Sequence, residues 1–294
     1  MKDLEGGPFL FIVNPNSGTG GYERFQKHIH ALQGSSPFEV VTSKSPEHSI
    51  ELARSAPSKG YKAVIAVGGD GSVHEIGVQL IGTETALGII PTGSGNGISR
   101  HLGISNKVEE AVDELFAGKV RSIDTFEVNC APSIGFCGSG IDAHVAKAFD
   151  EASERGFSNY VKLSIDAFSH YQPQFYTLLL DGKETIVQQA YTVVVANITQ
   201  FGNNAYINPE GVDDDGLLDV IVVKDLPPTA LMPLASRLFL NNIHKSKWVK
   251  TARAKRIELV TNHPVAYQID GEPMPPTTML TFEVKPGSLH VITP

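Results

Sequence analysis

The chain has 294 residues, 41% of them hydrophobic and 19% charged, with a formal net charge of −8. At roughly 100–200 residues per domain this length suits two domains, and the composition excludes a wholly disordered chain. The 24 Lys and Arg stand against 32 Asp and Glu, whereas a nucleic-acid binder carries a basic excess, so no nucleic-acid partner is expected. In chain order, the apolar run at 9–13 predicts a strand, followed by a glycine-rich turn and a helix over 22–32. A strand at 38–41 leads to a helix over 46–56, and a strand at 61–67 leads through GGDGS to an apolar helix ending near Leu80. A strand at 86–90 is followed by PTGSGNG, a short helix, and a further helix over 108–116. Strands separated by helices imply a parallel sheet covered on both faces.

From about Ser122 the pattern changes to successive short strands, at 125–129, 175–180, 185–187, 191–196, 216–223, 256–260, 265–269 and 279–284. Helical patterns interrupt them at 143–170 and at about 229–243. Asp181-Gly182 between two strands is a hairpin signal. The fold class read from this is α/β plus all-β: an N-terminal parallel-sheet α/β domain and a C-terminal antiparallel β-sandwich or barrel.

Three turns concentrate the chemistry. NPNSGTGG (14–21), GGDGS (68–72) and PTGSGNG (91–97) each follow a strand of the parallel sheet and lead into a helix. Such turns lie at the carboxyl ends of the strands, where ligands bind, and the helix N-termini favour an anion. Glycines let the backbone approach a phosphate, and Ser17, Ser72 and Ser94 add hydroxyl donors. The same residues also serve as helix caps. No GxxxxGK[ST], strict GxGxxG, HExxH or GxSxG pattern occurs, which disfavours P-loop, dinucleotide-binding, zincin and α/β-hydrolase sites. An aspartate among phosphate-binding glycines repels phosphate unless Mg2+ lies between them, so Asp70 suggests a magnesium–nucleotide complex; a helix-capping turn is the other reading.

These segments together resemble the diacylglycerol kinase catalytic-domain superfamily, which includes bacterial lipid kinases and sphingosine kinases. The matching pieces are FIVNPNSGTG (11–20), VGGDGSVHE (67–75), GIIPTGSGNGISRHLGI (88–104), GSGIDAHVAKAF (138–149), FGNNAYINPEGVDDDGLLDV (201–220) and QIDGEP (268–273). The resemblance implies an ATP-binding α/β domain at 1–125 and a β-sandwich lipid-substrate domain at 126–285, with a C-terminal strand at about 286–294 returning to the first domain. It implies an ATP-dependent lipid kinase using Mg2+, whose acceptor is a lipid alcohol such as diacylglycerol or a sphingoid base. The competing readings are an NAD-kinase-like enzyme acting on a soluble nucleotide, and a non-catalytic nucleotide- or lipid-binding module.

By the same resemblance, Asn14, Pro15, Asn16, Ser17 and Gly18 line the nucleotide site, with Thr42 after the second strand. Gly69, Asp70, Gly71, Ser72, Val73, His74 and Glu75 hold phosphates and Mg2+, and Ser94 donates to a phosphate. His74 also reads as a structural helix histidine. Glu272 matches the general base that takes the proton of the attacking hydroxyl, a role chemistry asks of a positioned carboxylate. Asp270 orients it or acts in its place, with Asp70 next. The acidic turn at 213–217 maps onto a structural Mg2+ site formed by Val212, Asp215 and Leu217, or else is a solvated turn. Asp142 sits where sphingosine-type kinases place an acid near the lipid headgroup; the other reading is a helix cap. The chain departs from the bacterial GTxND and GGDGTxNE patterns at GSGNG and at His74, and both departures resemble sphingosine-type kinases.

Cys130 and Cys137 are too few for a disulfide framework and read as two small buried residues in a reducing cytosol. The first residues lack a signal-peptide pattern and no stretch approaches the roughly 20 apolar residues of a membrane span. The expectation is a cytoplasmic protein, peripheral and reversible at the inner face of the membrane, with a homodimer left open. Residues 226–257 contain seven Lys or Arg and no Asp or Glu. With the apolar residues before them and Trp248, they read as an interfacial contact, or as core plus a solvated strand edge.

Overall fold

The computed structural model describes residues 7–18, 21–31, 37–151, 162–163, 166–168 and 170–294. Thr19 and Gly20 of the first glycine-rich turn, residue 32 of the predicted helix over 22–32, and 152–161, 164–165 and 169 of the one over 143–170 lie outside the described residues. The chain divides into two compact units, residues 1–124 with 286–294, and residues 125–285.

The first unit is a parallel sheet. Strands β1 (Phe9–Val13), β2 (Phe38–Thr42), β3 (Ala63–Gly68) and β4 (Ala86–Pro91) run in the order β2-β1-β3-β4. The last residues of the chain join beside β4, with Val291 opposite Leu87. Every residue of β1, β3 and β4 is buried. Helices α1 (Gly21–Ala31), α2 (Pro46–Ser55), α3 (Asp70–Gly77), α4 (Gly97–His101) and α5 (Val108–Ala117) belong to this unit. Unbroken apolar runs are what a sheet covered on both faces requires. Phe11 packs on Phe25 of α1 and Phe38 of β2, at ring separations of 5.6 and 5.7 Å. Ser45 caps α2 by accepting from His48 N at 3.3 Å, with Pro46 at the first helical position where its missing N–H costs nothing. Because β1, β3 and β4 are neighbours in the sheet, the turns that follow them are neighbours too.

The second unit is antiparallel. Its strands are β5 (Lys119–Val128), β6 (Ala131–Ser133), β7 (Phe136–Gly140), β8 (Gln174–Leu180), β9 (Glu184–Ala196), β10 (Leu218–Lys224), β11 (Val249–Ala254), β12 (Arg256–Ile269) and β13 (Glu272–Thr293). The chain passes between the units within β5 and β13. Strands β7 and β8 lie end to end between the long strands β9 and β12: β8 pairs with Glu184–Ala190 and Ile257–Thr261, β7 with Thr192–Ala196 and Tyr267–Ile269. The far half of β9 is buried on both faces, Val193 and Val195 in one apolar cluster and Val194 and Ala196 in the other. The second cluster lies under helix α7 (Pro228–Phe239), through Leu234, and extends to Ile243 just beyond it. Helix α6 (Ile141–Glu151) follows β7 directly.

The strands predicted at 185–187 and 191–196 are one strand, β9. Those at 256–260 and 265–269 are likewise one, β12, whose register shifts between Val260 and Val265 where Pro264 removes a ladder donor. The reading of both cysteines as buried is corrected. Cys137 is buried in β7, but Cys130 is exposed, with Asn129 and Cys130 at φ 49° and 69° forming the two-residue turn from β5 to β6.

Candidate functional site

In the first unit the three glycine-rich turns lock together. Asn14 donates from its side chain to Ser72 Oγ at 3.0 Å and from its backbone to Val67 O at 3.0 Å, while its Oδ1 accepts from Asn16 N at 3.0 Å. Ser17 Oγ accepts from Thr92 Oγ1 at 2.9 Å, and Thr92 N donates to Gly68 O at 2.9 Å. The second and third turns touch backbone to backbone. A Cβ on Gly93 would stand 2.6 Å from Gly69 Cα, and one on Gly69 would stand 3.2 Å from Gly93 Cα. Only glycine allows that approach. Pro15, Asn16, Gly18 and Ser94 are exposed on these turns, Gly69 and Gly71 half-buried, and Ser72 and Val73 buried. His74 and Glu75 follow half-buried on α3, and Thr42 is exposed at the carboxyl end of β2.

Asp70 does more than decorate its turn. Its Oδ2 accepts from Asn96 N and its Oδ1 from Gly97 N, both at 2.7 Å. These are the first amides of α4, whose own cap residue Asn96 sits in the left-handed region without a side-chain cap bond. The carboxylate thus caps a helix that is not its own, with the charge-assisted bonds favoured at a helix start. Its place among the glycines of the turn suits a magnesium–phosphate group. Asn96 Oδ1 is a buried acceptor with no partner among the described residues, and a metal-bound water would satisfy it.

In the second unit, Asp270 and Gly271, at φ 49° and 94°, form the turn between β12 and β13 and leave Glu272 exposed at the start of β13. The Asp270 carboxylate is buried. Oδ1 accepts from Ser133 Oγ, Gly135 N and Phe136 N at 2.8–2.9 Å, and Oδ2 accepts from Ile134 N at 2.9 Å. With four donors on its two oxygens, Asp270 is held as an anchor of the hairpin to the turn before β7. Glu272 makes no hydrogen bond or ion pair among the described residues.

Gln268 joins this hairpin to Asp142. Its Oε1 accepts from Gly271 N at 2.6 Å and its Nε2 donates to Asp142 Oδ2 at 2.8 Å. Burial pushes the Asp142 carboxyl up to about 6 although the Gln268 bond pulls the other way. Among the described residues, Asp142, at the start of α6, is the one carboxylate lining a cavity of about 310 Å³. The rest of its lining is almost wholly apolar and includes Ile141, Val145, Phe201, Leu234 and Leu238.

The acidic turn holds a cation of the protein's own. Arg253 of β11 stands directly opposite Asp219 of β10. Its Nε donates to Asp219 Oδ1 at 3.0 Å and its Nη2 bonds Asp215 Oδ2, while Asp215 Oδ1 accepts from Leu217 N at 3.1 Å. Asp219 Oδ2 accepts from Asn208 Nδ2 at 2.9 Å. Val212 is exposed. With both Asp215 oxygens engaged and a guanidinium beside them, the turn at Val212, Asp215 and Leu217 has a counter-cation without a metal ion. Among the described residues no group of three or more His, Cys, Asp and Glu is placed to hold one.

Gln268, Asn208 and Arg253 were not singled out from sequence. The QIDGE segment contains Gln268, but its two partners, in α6 and in the hairpin turn, emerge only from strand pairing.

Residues 8–128 match the profile of the diacylglycerol kinase catalytic domain, and residues 135–293 that of the YegS C-terminal NAD kinase beta sandwich-like domain. Among curated relatives, a diacylglycerol kinase of Mycobacterium tuberculosis is 28% identical over 272 residues, covering 88% of this chain and 87% of its own. A diacylglycerol kinase of Bacillus subtilis is 24% identical over 276 residues, covering 89% and 88%. A crystal structure of a diacylglycerol kinase from Bacillus anthracis superposes with a TM-score of 0.79 at 22% identity, covering 98% of this chain and 97% of that one, which shows a shared fold. Two matched domains in family order, spanning nearly the whole chain, show that it belongs to the diacylglycerol kinase catalytic-domain superfamily.

Proposed function

We propose that the chain is an ATP-dependent lipid kinase that transfers the γ-phosphoryl group to a lipid hydroxyl. The observation that carries this reading is the apolar cavity of the second unit, with Asp142 as its one carboxylate among the described residues. A soluble, polar nucleotide has no use for such a lining, whereas a lipid chain gains about 25 cal/mol for each Å² it buries there. Asp142 is suited to hold the acceptor hydroxyl or amine at the polar end of that chain. In the first unit, the backbone amides and hydroxyls of the three turns supply the donors a triphosphate needs. Mg2+ held beside Asp70 would neutralise charge on the transferred phosphoryl group. Glu272, exposed and unpaired, takes the proton of the attacking hydroxyl, and Asp270 and Gln268 hold its hairpin.

The test is transfer from labelled ATP to a panel of acceptors: diacylglycerol, a sphingoid base and phosphatidylglycerol in micelles, with NAD as the soluble competitor. Phosphorylated lipid and unmodified NAD are expected. Phosphorylation of NAD alone would overturn the reading.

A further inference from the structure

The rim of the apolar cavity is itself apolar and exposed. Met232 and Phe239 both line the cavity, yet are 64% and 40% exposed, and Leu240 beside them is 68% exposed. Met232 and Phe239 are seven residues apart on α7, two turns along one helical face. An isolated exposed Leu means little, but three large apolar side chains at the mouth of an apolar cavity make a patch.

The charge around that patch is one-sided. Residues 226–257 carry seven Lys or Arg and no Asp or Glu, in a chain of net charge −8. Among the described residues, several acids near this stretch are already engaged. Asp215 and Asp219 pair with Arg253, Glu258 with Arg256 at 3.6 Å, and Glu210 lies 3.7 Å from His244. Asp181 accepts from the backbone of Lys255 and Arg256. Lys245, Lys247 and Lys250 are exposed and have no ion pair among the described residues. Lys247 lies over the ring of Trp248, 4.9 Å from its centroid. An exposed apolar helix face followed by free lysines and a tryptophan is the pattern of a surface that lies in a bilayer interface.

We infer that α7 and the basic segment after it form the face by which the second unit seats on an anionic bilayer, with Met232, Phe239 and Leu240 entering the acyl boundary around the cavity mouth. The inference rests on the lipid-kinase reading and adds the route by which the acceptor arrives. An acceptor lipid would then slide from the leaflet into the cavity without crossing water.

The full chain is sedimented with vesicles of phosphatidylcholine alone and of phosphatidylcholine with phosphatidylglycerol, at low and high salt. Binding is expected on the anionic vesicles only and is expected to fall as salt rises. Replacing Lys245, Lys247 and Lys250 together by Glu is expected to weaken it at least ~100-fold, since each basic residue near such a surface contributes about fivefold. None of the three lines the cavity. The same variant is therefore expected to lose turnover of vesicle-borne acceptor while keeping that of a short-chain acceptor below its micelle concentration. The salt series on the unaltered chain tests the idea even if the variant misfolds. Binding that ignores lipid charge, or a folded variant that binds like the parent, would overturn the inference. Charge-dependent binding together with no turnover of any lipid acceptor would overturn the kinase reading and leave the surface standing.

Discussion

Asp270→Asn separates holding the hairpin from taking a proton. The wild-type carboxylate accepts three bonds at one oxygen and one at the other, from a turn that ends 134 residues earlier in the chain. The least damaging placement of an asparagine keeps its oxygen at the three-bond position and turns its NH2 toward Ile134 N. That loses one bond and sets a buried donor against a donor, at a cost of about 1–3 kcal/mol. The three remaining bonds lose their charge assistance, each falling by roughly 0.5–1 kcal/mol. The total of about 2.5–6 kcal/mol brackets what removing one partner of a buried charged group commonly costs. For a unit of this size, ~1 kcal/mol moves Tm by about 2–4 °C, so a fall on the order of 5–24 °C is expected. Circular dichroism melts and urea titration measure it, with Glu272→Gln as the control. Glu272 is exposed, so that change should leave stability within about 0.5 kcal/mol. If Asp270→Asn melted within about 2 °C of the parent, the four-bond anchor would not be carrying the hairpin.

Glu272→Gln should keep the fold and nucleotide binding but lower turnover roughly 10²–10⁴-fold, since an amide cannot accept the proton; near-normal steady-state turnover would place the base elsewhere. The nucleotide-free parent is expected to melt alike in Mg2+ and in EDTA, because Arg253 supplies the cation of the acidic turn. Arg253→Met, which leaves Asp215 and Asp219 facing each other, should melt lower and regain part of the loss with Mg2+; a magnesium-dependent melt of the parent would count against the guanidinium. For Asp142 the folded value near 6 lies above the ~3.9 of an unfolded aspartate. Its contribution to stability is therefore full below about pH 4 and declines as pH rises to about 6. Asp142→Asn should remove that decline, seen as a parent-minus-variant difference in urea stability that shrinks from pH 4 to pH 7; a difference flat with pH would mean the carboxyl is not buried as described.

The first unit was the more legible half because its information is local. Strands β1, β3 and β4 are buried on both faces, so they read as apolar runs, and their turns announce themselves by glycine. Strand β7, Phe-Cys-Gly-Ser-Gly, has almost no strand propensity of its own and exists because β9 and β12 flank it. Strand β11 is legible only once Arg253 is known to face Asp219. The same holds for the candidate site. The Asp-Gly-Glu turn was visible as a motif, but nothing near it in sequence points to the Ser133 hydroxyl and the Ile134–Phe136 amides that hold Asp270. The acidic turn was visible as a demand for positive charge, and the residue that meets the demand lies across a strand pair. The amphipathic character of 226–257 was legible too, whereas the cavity beneath α7 was not, since it depends on which side chains from β9, β10 and α6 meet there.

The backbone contact between Gly69 and Gly93 makes the two glycine-rich turns a single locus for mutation. A methyl group at either position must push the turns apart, and once they are apart a second methyl meets less resistance. Alanine at both sites should therefore harm the chain less than the two single changes would add up to, a positive epistasis of the kind expected between groups in direct contact. Such a locus is hard to leave by single substitutions, because each first step meets the full clash while only the second escapes part of it.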